Sequence, residues 1–271
     1  MWLTTCLLPA TMSQTSLLLF LLSLPLVAQP SLAQQQVVIQ VNHVVGTSHL
    51  TRSPATFVTA QQERFTVTRL HYYLSNVRLV KADGSAWVLP PDSSYFLIRA
   101  EAPASHQITL PHVPVGEYTG LQFMIGVDSL RNTMPPSQRK GCLDIGGEAN
   151  GMYWSWNAGY IFFKFEGLSP QAPMDKTSGK HEFTFHVGQF GGMKIPTPNN
   201  TRLVSLSFPD QPLRVVPGHH AQVALWADLL KVFDGVHSIR IAEHPNVMMQ
   251  PVAARIADNY SRMFSLQKPQ N

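Results

Sequence analysis

The sequence predicts an all-β protein: a single β-sandwich of antiparallel strands with long loops and a short C-terminal helix. Three observations predict it. Apolar and polar residues alternate through most of the apolar stretches. Turn residues cut those stretches at short intervals, and the 21 prolines and 17 glycines suit many short strands better than helices.

The chain opens with an apolar block, Leu17 to Ala28, of twelve residues interrupted by Pro25. A membrane-spanning helix needs about 20 apolar residues, so the block is too short to span. Ser31-Leu32-Ala33 follows and has the small-x-small form that a signal peptidase accepts. Residues 1–33 therefore read as a secretory leader, and residues 34–271 as one domain beginning at Gln34. The segment before the block carries no Lys or Arg, which leaves a buried N-terminal helix as the alternative reading. No second long apolar run follows, so a periplasmic or cell-surface protein that is not embedded in a membrane is expected.

In the domain, Gln36 to Val45 alternates, and Arg64 to Leu79 does so almost throughout. Alternation puts every second side chain on one buried face. Asp83-Gly84, Pro90-Pro91, Pro114-Val-Gly116 and Pro217-Gly218 supply turns. Strands are expected over Glu117–Val127, Gly151–Gly167, Glu182–Val187 and Arg202–Phe208. Residues 130–150 and 168–181 lack strand periodicity and are expected to be loops of the length that often carries function. Ala227–Phe233 predicts a turn or two of helix, and Ala253–Phe264 an amphipathic helix.

Composition narrows the chemistry. Twenty Lys and Arg against 16 Asp and Glu give a net charge of +4, scattered along the chain. No basic run with interleaved aromatics marks a nucleic-acid surface. Cys142 is the one cysteine after the leader, so an internal disulfide is excluded. Eleven histidines all follow the leader, and oxygen-rich calcium loops are missing, which makes imidazole the expected ligand for any metal. There is no Gly-x-Ser-x-Gly elbow, no phosphate-binding loop and no Cys-x-x-Cys. His181 and His186 are five apart on a predicted strand, where odd spacing sends them to opposite faces, so a zinc-protease reading fails. A non-enzymatic role is expected.

The most informative stretch is MYWSWNAGY, residues 152–160. Read as one strand, it puts Met152, Trp154 and Trp156 on one face, with the two indoles about 6.6 Å apart along it. Such a run is either a core ladder of aromatics or an electron-rich patch open to oxidation.

That run, continued as IFFKFEG, resembles the hallmark of MbnP-like proteins, the copper-binding family associated with methanobactin operons. FTVTRLHYYLSNVRL (65–79), FMIGVDSLRN (123–132), FTFHVGQFGG (183–192) and IADNYSRMF (256–264) resemble further family segments in the family's order. The resemblance implies an exported β-sandwich that binds copper through histidines and a tryptophan oxidised to kynurenine. It also implies a partner, a di-haem enzyme of the MbnH type related to cytochrome c peroxidases. Matched residue by residue, Trp154 or Trp156 is the modifiable tryptophan and His186 is the histidine of the His-x-Gly strand. His43, His49 and His71 complete the metal-ligand candidates. Methanotroph members carry a cysteine pair in the loop after that strand; here Gln189-Phe-Gly-Gly192 has none.

Other histidines carry plainer readings: His106, His112 and the pair His219-His220 as surface residues, and His244 near Met248 and Met249 as a site for packing or soft-metal contact. The competing function is a sandwich module that binds carbohydrate or a protein partner by stacking on the tryptophan pair. Exposed indoles would favour stacking, whereas an indole beside imidazoles would favour the copper reading.

Overall fold

A computed structural model describes residues 35–51, 55–208 and 210–267. The leader expected over residues 1–33, and the cut before Gln34, lie outside the described residues. Ala33–Asn271 forms one compact unit.

The first strand, Val37–Val45, buries Val37, Ile39, Val41 and His43 and turns Val38, Gln40 and Asn42 outward, as its alternation requires. It sits inside a five-stranded sheet. Ser48–His49 and Gln107–Leu110 pair with it antiparallel, while Ala221–Asp228 pairs with it parallel and in turn pairs antiparallel with Phe264–Leu266. The second sheet has ten strands built around Arg64–Val80, a single strand of 17 residues. Gly159–Leu168 pairs with the first half of this long strand and Gly120–Ile125 with the second half. Tyr95–Arg99 pairs along its middle, and Glu182–Gly188 continues the sheet beyond Gly159–Leu168. A parallel pairing recurs between Glu182–Gly188 and Asn246–Val247. The all-β architecture is as expected, but these two parallel pairings depart from an all-antiparallel sandwich. Alternation encodes which face is buried; it carries no information about strand direction.

The two sheets share one core. Its densest part is five phenylalanines, Phe65, Phe165, Phe183, Phe185 and Phe233, with ring centroids 4.9 to 6.3 Å apart. Each such ring contributes about 1.5–3 kcal/mol by leaving water. A smaller cluster lies on the outer face of the ten-stranded sheet. There Tyr73, Met152, Tyr160, Phe162 and Phe190 pack beneath the segment 127–152.

Both helical expectations need shorter bounds. The C-terminal helix is Val252–Tyr260, and Phe264 belongs to a strand instead. The earlier one shrinks to Leu230–Phe233, because Ala227 and Asp228 complete the strand Ala221–Asp228. Glu117–Val127 divides into Gly116–Tyr118 and Gly120–Ile125. Among the described residues no helix is long and apolar enough to cross a membrane.

Candidate functional site

Gly151–Gly167 is a hairpin, and the expectation of one continuous strand is corrected here. Tyr153–Trp154 pairs back onto Gly159–Leu168, with Trp154 opposite Gly159. Trp156 therefore lies in the turn, and Met152, Trp154 and Trp156 do not line one strand face. Gly159 makes the reversal possible with a φ of +73°, a conformation side chains resist. A Cβ there would stand 2.1 Å from Asn132 Oδ1. That oxygen accepts from Tyr160 N–H at 2.8 Å, and the Asn132 amide donates to the carbonyls of Val127 at 2.6 Å and Asp128 at 3.0 Å. Two stretches distant in sequence, FMIGVDSLRN and the tryptophan run, thus meet through one buried amide. At the tip, Asn157 Oδ1 accepts from the N–H groups of Met193, Lys194 and Ile195, and its amide donates to Ile195 O at 2.7 Å.

The turn brings the two indoles closer than a strand would. Trp154 and Trp156 stack with centroids 5.0 Å apart and planes 25° off parallel. Trp154 is half-buried, and Trp156 is 42% exposed. Beneath Trp154 lies Gly188, where a Cβ would come within 2.8 Å of the indole and 2.6 Å of Tyr160 O. The glycine of the His-x-Gly segment is the floor on which the indole rests. His186 is two residues earlier on the same strand, so it faces the same side of the sheet, about 7 Å along.

A polar row crosses the sheet from His186. Register places Arg99 beside His71, His71 beside Lys164, and Lys164 beside His186, on four neighbouring strands. This face alternates with the core-facing Leu70, Tyr72, Phe163, Phe165, Phe185 and Val187. His186 Nε2 lies 2.8 Å from Glu166 Oε1, and Glu166 is also 3.0 Å from Arg69 and 3.7 Å from Lys164. The hydrogen bond from His186, with Arg69 and Lys164 nearby, holds the Glu166 carboxyl down to about 2. Lys164 donates to Gly151 O at 3.0 Å, and burial lowers its pKa. His71 Nε2 lies 2.6 Å from Glu101, but burial outweighs that carboxylate and lowers its pKa.

The other two histidine candidates lie elsewhere. His43 faces the core, where its Nε2 is 2.8 Å from Tyr72 Oη. Burial, aided by nearby His106, lowers its pKa to about 3. His106 is not the plain surface residue expected, because its ring meets His43 edge-on at 4.7 Å and its Nε2 bonds Arg99 O. His49 is exposed and lies edge-on to Trp226 at 5.1 Å. The fold therefore brings His71, His186 and the tryptophan pair to one face and leaves His43 and His49 away from it. Among the described residues no group of three His, Cys, Asp or Glu is gathered as a metal site. Imidazole and carboxylate are donor types that suit copper, but here they meet as pairs, with the Lys164 ammonium between the two histidines.

Reading Lys164 and Glu166 as one face was possible from the alternation in FFKFEG. The partners Arg69, Arg99 and Glu101 depend on register, which the sequence does not display.

The sequence model of the MbnP family matches residues 34–249. The chain belongs to the MbnP family. Among solved structures it is similar to MbnP from Methylosinus trichosporium, at 21% identity and a TM-score of 0.51 over 77% of this chain and 80% of that one. At that identity the likeness shows the shared fold. No curated protein matches the chain.

Proposed function

We propose that this MbnP-family member is an extracytoplasmic, non-enzymatic copper-binding protein that serves acquisition, storage or handover of the metal. His186 is its principal imidazole and Trp154 the residue that completes the site. The observation that carries this reading is the seating of Trp154 on Gly188, on the same face as His186 and its partner Glu166.

The His186 imidazole, held at Nε2 by Glu166, would offer Nδ1 to the metal, and a second donor would come from the indole once it is opened. Oxidation adds two oxygen atoms across the indole C2–C3 bond, which breaks, while two equivalents of peroxide are reduced to water. Hydrolysis then releases formate and leaves kynurenine, with an aniline nitrogen and a ketone where the ring had been. A di-haem partner of the MbnH type would be the catalyst. Trp156, stacked on Trp154 and exposed, is the side from which such a partner would draw electrons. Copper bound here would supply Lewis acidity and one-electron chemistry. The chain's own part is to orient the imidazole through Glu166 and to hold the ring between Gly188 and Trp156.

The alternative, a module that stacks a carbohydrate or protein ligand, is favoured by the exposure of Trp156. One experiment separates them: metal content and peptide mass spectrometry across residues 151–164, on protein produced with a di-haem partner. The expected outcome is about one copper per chain, with a kynurenine or N-formylkynurenine mass on Trp154 alone. His186→Ala should lower copper affinity at least tenfold, while His49→Ala leaves it unchanged. Equal affinity in wild type and His186→Ala would remove the site. Copper-free protein whose ligand binding is abolished by Trp156→Ala would establish the alternative.

A further inference from the structure

Away from the polar row, beneath the segment that follows Asp128, the surface opens into a cavity of about 510 Å³. Asp92, Tyr95, Arg131, Arg139, Lys140 and Cys142 line it. Its electrostatics are lopsided. Arg139 is only 7% exposed, yet every contact it makes is neutral. Its Nε donates to Met134 O at 3.0 Å, and its Nη2 to Asn132 O at 3.1 Å and Tyr153 Oη at 3.2 Å. The guanidinium lies over the rings of Tyr153 and Tyr160, 4.4 and 5.3 Å from their centroids. Nη1 is sealed from solvent and has no hydrogen-bond partner. Among the described residues no carboxylate forms an ion pair with Arg139.

A guanidinium cannot escape burial by losing its proton. A buried charge without a counter-charge costs several kcal/mol, so the surroundings should supply one. They supply more cations instead. Arg131 also lines the cavity with its side chain 10% exposed, and its partner Asp92, 2.5 Å away, is 94% exposed at the rim. Lys140 adds a third positive charge. Asp128, another carboxylate in this region, already accepts from Tyr95 Oη, the Asn76 amide and Arg131 N–H. Cys142 gives no anion, because burial pushes its thiol up to about 12.

We propose that this cavity is an anion-binding site for a compact carboxylate or phosphate, held by Arg131 and Lys140 and compensating the buried charge of Arg139. The volume falls within the range of about 300–1,000 Å³ typical of small-molecule sites. Planar guanidinium groups match the paired oxygens of a carboxylate or phosphate, which is where charge-assisted hydrogen bonds are strongest. The ligand need not touch Nη1, because opposite charges a few ångströms apart attract strongly in a poorly solvated setting. Copper plays no part in this site, so the proposal stands or falls separately from the function above.

The test is thermal unfolding and calorimetric titration of the full domain with inorganic phosphate and with citrate, against sodium chloride at matched ionic strength. A saturable rise in melting temperature is expected with at least one of the two oxyanions, at one site per chain, with no such rise in chloride. The backbone-independent Nε–H resonance of Arg139 should shift in step with occupancy. Lys140→Glu changes an exposed residue and should fold normally, with affinity at least tenfold weaker. Arg131→Gln should add a further loss. Identical stabilisation by chloride, or undiminished affinity in the Lys140→Glu, Arg131→Gln double variant, would show an adventitious ionic effect and overturn the proposal.

Discussion

His43 and His186 are both strand imidazoles, both bonded through Nε2, and they sit in opposite electrostatic settings. His43 points into the shared core, with a phenol and a second imidazole for company. There desolvation is the dominant influence, and the ring stays neutral down to about pH 3. His186 points outward among groups that are already charged, and its carboxylate partner stays ionised down to about pH 2. The fold uses one residue type as neutral packing between the two sheets and as a polar group on the outer face of the ten-stranded one. Counting histidines cannot separate these uses; the parity of each position along its strand can.

The largest expected effect tests the interior side. Unfolded His43 takes up its proton near pH 6.5, whereas the folded ring does so only near pH 3. The unfolded state therefore binds more protons across that window, and stability falls as pH drops through it, by up to about 4–5 kcal/mol in all. Urea unfolding from pH 7 to pH 4 should show this slope, and His43→Gln should flatten it. Equal slopes in the two proteins would mean that His43 is not held neutral by the core.

A smaller effect is expected at the outer face. Gly188→Ala should cost about 1–3 kcal/mol by overpacking beneath the indole. It should also weaken the near-ultraviolet dichroism of the stacked tryptophans while leaving the acid slope of His43 unchanged. If the dichroism is unaltered, Trp154 does not depend on that floor.

The smallest effect has the same sign as that of His43 but the opposite cause, attraction to neighbouring charge rather than desolvation. Glu166 has a carboxyl pKa lowered to about 2, so its contribution is fully present above its ordinary value of 4.5 and is lost as pH falls through about 2. Glu166→Gln should therefore cost about 1 kcal/mol at pH 7, after allowance for solvent screening, and nothing once the pH is below 2. A penalty that persists in strong acid would point to shape rather than charge.

Much of the fold could be read in the chain. Alternation located Val37–Val45 and Arg64–Val80 to within a residue or two, because a half-buried strand must alternate. Around the tryptophans the same rule failed. MYWSW alternates as a strand would, but Gly159 and the buried Asn132 amide fold it into a turn. The signal for that turn lay some thirty residues upstream, in a segment with no periodicity of its own. The proposed site was half legible. His186 and the pair Trp154 and Trp156 could be named from the family resemblance, whereas the ion pairs beside His186 arise from register between strands. His43 and His106 show the limit most clearly, since the register between Val37–Val45 and Gln107–Leu110, which the sequence does not display, makes them neighbours.

The placement of the first strand has a consequence for how the molecule assembles. Val37–Val45 lies inside its sheet, and its parallel partner Ala221–Asp228 comes from the far end of the domain. Val37–Val45 thus has to wait for a partner that lies far along the chain. Closing such a long loop precedes any reward from the contact, so folding should be slow compared with domains built from local hairpins. Until Ala221–Asp228 arrives, one edge of an apolar strand stays open to pairing with other chains.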